Sequence, residues 1–426
     1  MAEETFDLII IGAGPGGYVA AIRAAQLGLK VAVAERSETL GGVCLNEGCI
    51  PSKALLDSSE LFALARDKFA GHGIVVEPPR LDLGRMMARK DDVVRKLTDG
   101  VAFLFKKNKI TLFTGTARLA GKSGDLQRVA VASAGGELTL SAPRVLLATG
   151  SEAVELPFMP FDGETVVSAR EVLSFNGVPE HLLVVGAGYI GLELGSVWRR
   201  LGSRVTVVEL LPKMLPTMDG QAADTLMRSL KKQGIAFRME TKVTGVEKRD
   251  GKVLVTVASG ETTEQIEADR VLVAVGRRPL TGSLGLAEAG VKLDEHGRIV
   301  VDGDYLSSEP GIYAIGDLIH GPMLAHKAME EGVVFAERLA GQASEVEYDY
   351  VPGICYTWPE AASVGKSEEQ LKEEGTPYKS GKFSFLANGR ARCMDETDGF
   401  VKVLAHAETG RVLGIHIVGP RASDMI

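Results

Sequence analysis

The sequence of 426 residues predicts an α/β protein carrying two Rossmann-like units, and three observations lead there. A G-x-G-x-x-G turn follows an apolar strand at residues 12–17. The same strand, turn, helix and strand recur 174 residues later. After each copy comes another apolar strand that ends in glycine.

The first segment, DLIIIGAGPGGYVAAIRAAQLGLKVAVAER, opens on a strand that is apolar at every position, as a strand buried on both faces should be. Gly12, Gly14 and Gly17 make the turn, and Glu35 ends the second strand. Alone this is weak: at this glycine content about 0.7 chance matches are expected in a chain of this length. The second segment, HLLVVGAGYIGLELGSVWRRLGSRVTVVEL, removes the weakness. Gly186, Gly188, Gly191 and Glu209 match Gly12, Gly14, Gly17 and Glu35 at constant offset, as do Gly202, Val205 and Val207 with Gly28, Val31 and Val33.

The residue types fit a dinucleotide. The first glycine makes the turn, the second lets the backbone approach a pyrophosphate, and the third allows close helix–strand packing. The helix start offers free N–H groups and partial positive charge to phosphates. A carboxylate ending the second strand accepts ribose hydroxyls and repels a 2′-phosphate, so Glu209 predicts NAD rather than NADP. The competing reading of each turn is a tight strand–helix connection without a ligand.

Further strands complete the pattern. Residues 145–151, VLLATGS, and 271–279, VLVAVGRRP, carry Gly150 and Gly276 where each strand ends. Residues 311–318, GIYAIGDL, end in Gly-Asp; Asp317 is read either as a partner for a ribityl hydroxyl or as a helix N-cap.

Composition narrows the function classes. This length implies two to four domains. No apolar run is long enough for a membrane span, and acidic residues stand near the N-terminus where a leader would be basic. A cytoplasmic protein is therefore expected. The net charge of −8, without a basic stripe, argues against a nucleic-acid partner.

Four cysteines make no disulfide scaffold, but two lie close together in GGVCLNEGCIPSK, residues 41–53. Zinc would need further Cys or His ligands at metal spacing, and none are near Cys44 and Cys49, so no metal site is predicted. A structural disulfide across so short a loop would constrain the unfolded chain little. The reading left is a reversible dithiol served by an electron acceptor on the first nucleotide unit. Cys355 and Cys393 are isolated and read as inert. Lys53, four residues after Cys49, is either a solvated helix lysine or a cation held by a carboxylate; Glu193, just past Gly191, is the candidate partner.

With these residues in place, the chain resembles the two-dinucleotide-domain flavoprotein disulfide reductases along its whole length. GGVCLNEGCIPSK resembles their redox-disulfide signature, departing from its commonest form at Val43 and Glu47. Residues 215–219 (LPTMD), 323–332 (MLAHKAMEEG), 356–371 (YTWPEAASVGKSEEQL), 387–404 and 414–420 are most similar to the members that oxidise dihydrolipoamide with NAD. Glutathione and mercuric reductases differ in the AHKA segment and tend to prefer NADP.

The resemblance implies an FAD-binding domain at 1–151, an NAD-binding domain at 152–276, a segment at 277–345 completing the FAD site, and a C-terminal α+β interface domain at 346–426. It implies FAD held through Gly12, Gly14, Gly17, Glu35, Lys53, Gly150, Asp317 and Ala325, and NAD through Gly186, Gly188, Gly191, Glu209 and Gly276. Cys44 would exchange with the substrate dithiol and Cys49 would face the flavin, with Lys53 and Glu193 tuning it. The implied assembly is a homodimer serving the lipoyl domain of a 2-oxo acid dehydrogenase acyltransferase or a glycine cleavage carrier protein.

Members of the family end in a His-Pro followed by glutamate, whose histidine is acid–base for the partner subunit's disulfide. The present sequence stops at GPRASDMI without a His-Pro, so truncation is expected, the alternative being a protein without that base. The His72/Glu77 and His326/Glu331 spacings read as chance. A reductase of another disulfide or of a metal ion, separated by a substrate assay, and a docking flavoprotein without turnover, opposed by the intact cysteine pair, are the competing functions.

Overall fold

Because Leu8–Ile11 has no polar face, it can only be a central strand, and all four residues are buried. The computed structural model describes residues 4–249 and 251–426; the acidic start at residues 1–3 lies outside the described residues. Leu8–Ile11 sits third in a five-stranded sheet ordered Ile312–Ala314, Val145–Leu147, Leu8–Ile11, Val31–Glu35, Thr111–Thr114. Every pairing in it is parallel, with Ile9 opposite both Ala32 and Val145. The Pro15–Gln26 helix supplies the crossover, with proline at its first turn where no N–H is needed. A meander of Thr116–Ser123, Leu126–Ser133 and Gly136–Ala142 follows. These parts form one compact unit made of Met1–Pro51, Asp91–Glu152 and Arg277–Tyr348.

The second unit comprises Ser52–Lys90, Ala153–Gly276 and Asp349–Ile426. Its parallel sheet runs Val166–Val167, Arg270–Val273, His181–Val185, Arg204–Val208, Ile235–Arg238. A meander again follows, here Lys242–Arg249, Lys252–Ser259 and Thr262–Ala268. The internal repeat therefore extends beyond the fingerprint, but its offset changes. Ile235 follows Thr111 by 124 positions instead of 174. The difference is the stretch that only the first copy carries between its second and third strands, and that stretch holds the cysteines.

Residues 52–90 within that stretch pack with the second unit, a grouping that no local sequence feature marks. The cause is apolar contact: Leu55 and Leu56 share a core with Leu192, Trp198 and Leu226. The unit ends in an antiparallel sheet ordered Gly353–Cys355, Glu360–Gly365, Val412–Gly419, Phe400–His406, Tyr378–Ser384. Among the described residues no helix is long and apolar enough to cross a membrane, and no cluster of His, Cys, Asp and Glu could hold a metal ion.

Candidate active site

The three fingerprint glycines differ in their surroundings, and the difference assigns their roles. Gly12 and Gly186 have φ of +101° and +106°, the left-handed turn that a side chain resists. A Cβ on Gly17 would lie 1.9 Å from the Gly12 carbonyl oxygen, and one on Gly191 2.3 Å from that of Gly186, so both must be glycine for the helix to pack. Gly188 has no atom within 4 Å of where a Cβ would be, and Gly14 has only one, at 4.0 Å. Each turn is thus tight behind and open in front. The strand-end carboxylates reach back to the turns: Ala13 N–H donates to Glu35 Oε2 at 2.7 Å, and Ala187 N–H to Glu209 Oε2 at 2.7 Å.

The cysteine loop is anchored on the first of these turns. Gly41 N–H donates to the Ala13 carbonyl at 2.9 Å. Gly42 presses against the backbone, since a Cβ there would be 2.7 Å from the Gly14 Cα. Cys44 follows in the short Gly42–Glu47 helix, and Cys49 is the first residue of the Cys49–Asp67 helix. Both are half-buried thiols. Tyr18, on the fingerprint helix, feels them: burial, then Cys44 and Cys49, push its hydroxyl up to about 12, so it stays neutral.

Lys53 lies one helical turn after Cys49, on the same helix face. The structure brings it to Glu193, with Nζ 2.8 Å from Oε2 and the glutamate side chain only 6% exposed. Tyr356 holds both partners, donating its N–H to Glu193 Oε1 at 3.0 Å and setting its ring 4.4 Å under the Lys53 Nζ.

Asp317 caps no helix. It sits in a single 3₁₀ turn, Gly316–Leu318, and accepts from the Ser151 hydroxyl at 2.5 Å. Arg277 holds Ser151 in turn, through Nε to the hydroxyl at 2.7 Å and Nη2 to the carbonyl at 2.6 Å. Ala325 opens the Ala325–Leu339 helix, Gly150 is left-handed at φ +72°, and Gly276 has open space around it.

Residues 6–332 match the family model described as pyridine nucleotide-disulphide oxidoreductase, and residues 351–426 match that family's dimerisation domain. The chain belongs to the pyridine nucleotide-disulphide oxidoreductase family. It is 51% identical to dihydrolipoyl dehydrogenase 3 of Pseudomonas putida, covering 99% of this chain and 90% of that one. It is 50% identical to mitochondrial dihydrolipoyl dehydrogenase 1 of Arabidopsis thaliana, covering 99% and 83%. Among solved structures, LpdA of Mycobacterium tuberculosis superposes with a TM-score of 0.91 at 27% identity, over 99% of this chain and 91% of that one.

As a member of the family the protein is an oxidoreductase that uses FAD and NAD. The residues present fit both groups. Two open glycine cradles stand at two helix starts, and a carboxylate ending the next strand reaches each turn, the residue types a dinucleotide needs. Of the residues the sequence singles out, the structure joins Lys53 to Glu193, ties Glu35 and Glu209 to their turns and anchors the cysteine loop on the first turn. Tyr356, Tyr18, Ser151 and Arg277, to which the sequence assigns no role, join these groups beside Glu193, the cysteines and Asp317. Ser151, Arg277 and Tyr356 stand inside stretches that the sequence marks, and Tyr18 directly follows the first fingerprint.

The cradle assignment makes a testable contrast in the second unit. Gly188→Ala should fold normally and weaken NADH binding. Gly191→Ala should lose ~1–3 kcal/mol or more of stability through the forced backbone shift. Fluorescence titration with NADH and thermal unfolding measure the two; wild-type NADH affinity in Gly188→Ala would refute the cradle.

Proposed function

We propose that this protein oxidises protein-bound dihydrolipoamide to lipoamide and reduces NAD, as the dehydrogenase component of a 2-oxo acid dehydrogenase or glycine cleavage complex. The observation that carries the reading is the Cys44–Cys49 loop anchored on the first dinucleotide turn, in a chain about half identical to proteins named dihydrolipoyl dehydrogenase. A cytoplasmic homodimer joined through residues 351–426 belongs to the same reading.

In the oxidised enzyme Cys44 and Cys49 share a disulfide. A substrate thiolate attacks the Cys44 sulfur; the disulfide breaks and Cys49 leaves as a thiolate. The second substrate thiolate then attacks the first substrate sulfur, closing the lipoamide ring and releasing Cys44. The substrate has given up two electrons and two protons, and the cysteine pair holds the electrons. Bound FAD would supply the electron relay between this dithiol and NAD.

The chain's own groups favour the charge this chemistry needs. Cys49 starts a 19-residue helix, whose free amides and partial positive charge stabilise a thiolate. Lys53 adds a cation on the same face, and Glu193 and Tyr356 fix its position. The deciding experiment is a spectrum with an assay. Flavin absorbance, a long-wavelength charge-transfer band on two-electron reduction, and NADH formation from dihydrolipoamide are expected together. A yellow protein that forms neither the band nor NADH would end this proposal.

Glu209 sets the nucleotide preference. A 2′-phosphate beside its carboxylate suffers like-charge repulsion of several kcal/mol, and ~1.4 kcal/mol is already tenfold. We expect kcat/KM for NAD to exceed that for NADP by ~10²-fold or more; equal values would contradict this role.

A further inference from the structure

Behind the Asp317 turn lies an ion pair with no exposure. Lys327 and Glu331, one turn apart on the Ala325–Leu339 helix, are both 0% exposed with charged groups 3.0 Å apart. They grip a single peptide segment. Glu331 Oε2 accepts from Gly316 N–H at 2.7 Å, and Lys327 Nζ donates to the Gly316 carbonyl at 2.9 Å. The other carboxylate oxygen, Oε1, accepts from the Tyr348 hydroxyl at 2.8 Å. Gly316 stands at φ +71°, where glycine is free to leave for other conformations.

The helix itself has little room to shift. A Cβ on Gly332 would lie 2.6 Å from the Gly16 carbonyl oxygen, so this helix and the fingerprint helix touch backbone to backbone.

Stability alone does not account for this arrangement. Burying two charges costs solvation that their attraction often fails to return, and apolar replacement of such pairs is commonly neutral or stabilising. What the pair does achieve is to fix both the N–H and the C=O of the residue before Asp317. On the other side, the Ser151 hydroxyl, itself held by Arg277, donates to the Asp317 carboxylate.

We propose that Lys327, Glu331 and Tyr348 form a clamp that presets the Gly316–Asp317 turn, so that Asp317 meets the polyol chain of FAD in one orientation. They are positioning residues: they act on the cofactor through Asp317. The proposal rests on the reading of Asp317 as a flavin-binding carboxylate.

The test is titration of flavin-free protein with FAD, followed by fluorescence quenching, together with thermal unfolding of the same flavin-free samples. The Lys327→Met/Glu331→Leu double variant removes both grips without stranding a charge. Its FAD Kd should rise at least ~10-fold while its melting temperature falls only modestly, because the Gly316 N–H and carbonyl lose their partners but no buried charge is left unpaired. In an Asp317→Asn background the same pair of changes should cost less than ~3-fold, because the clamp has lost the group it positions. Tyr348→Phe, which removes one hydrogen bond from a charged acceptor, should weaken FAD by ~3–10-fold and keeps the question open to experiment if the double variant does not fold. Wild-type FAD affinity in either clamp variant, or an undiminished effect in the Asp317→Asn background, would overturn the clamp. A wild-type protein that takes up no FAD would overturn the reading of Asp317 along with it.

Discussion

Cys44→Ser and Cys49→Ser should each abolish dihydrolipoamide oxidation while leaving FAD bound and the fold intact. Serine has nearly the same shape as cysteine but cannot form the disulfide, so neither sulfur exchange nor electron storage survives. Losing a covalent catalyst of this kind costs on the order of 10⁴-fold or more. In the proposed reading the cofactor is held elsewhere, at the open turn of Gly14, which Glu35 reaches, and at Asp317. Electron flow from NADH to an artificial one-electron acceptor bypasses the thiols and should persist in both variants. Stability should barely change, because a crosslink between residues five apart removes little freedom from the unfolded chain. The measurements are steady-state rates in both directions and flavin absorbance after desalting. Loss of flavin on desalting would mean that the pair is structural.

The parts of this site that the sequence reveals are those made by neighbours along the chain. A glycine turn, the helix it feeds and the carboxylate ending the next strand lie within about two dozen residues, so Gly12 to Glu35 and Gly186 to Glu209 can be read directly. Repetition then gives confidence that one copy cannot. The Lys53–Glu193 contact spans 140 residues and was reachable because each partner sits at a fixed step from a recognisable motif. Asp317 shows the limit. Its partner Ser151 is 166 residues away, and the Arg277 that holds Ser151 comes from yet another segment. Lys327 and Glu331 are visible as an i,i+4 pair on a helix, which usually means a solvated face. Only three-dimensional packing shows that they are completely buried.

The same limit hid a second buried ion group, and it carries the largest expected effect on stability. Lys402 is 1% exposed at its side chain; its Nζ lies 2.8 Å from Asp219 Oδ2 and 2.5 Å from Glu368 Oε2. Asp219 also caps the Gly220–Lys232 helix, accepting from Gln221 and Ala222, so the trio ties that helix to the C-terminal sheet within one unit. Hydrogen bonding, to Lys402 first and then to Tyr378, brings the Glu368 carboxyl down to about 2. Burial pushes the Asp219 carboxyl up, but the bond to Lys402, the charges of His416 and Lys402 and the Glu368 N–H together outweigh it and leave the group below its ordinary value.

Lys402→Met leaves the buried Asp219 carboxylate without a cation and Glu368 with only Lys372 and Tyr378, and removing one member of such a group typically costs ~3–5 kcal/mol. Both tryptophans, Trp198 and Trp358, lie in the second unit, so tryptophan fluorescence in urea reports the relevant transition. The pH dependence gives the sign. A depressed carboxyl contributes stability that is present above the unfolded value, ~4, and fades as pH falls toward the folded one. The wild type should therefore weaken between about pH 4.5 and 2, where Glu368 titrates. Lys402→Met has less pairing to lose, since Glu368 keeps only Lys372 and Tyr378, and protonation relieves the unpaired Asp219 charge, so its deficit should be largest near pH 7 and shrink in acid. Adding Asp219→Asn and Glu368→Gln to Lys402→Met should recover most of the loss, since asparagine still caps the helix and no buried charge is left. A deficit that stays constant from pH 7 to pH 4 would show that Lys402 matters here by filling space and not by its charge.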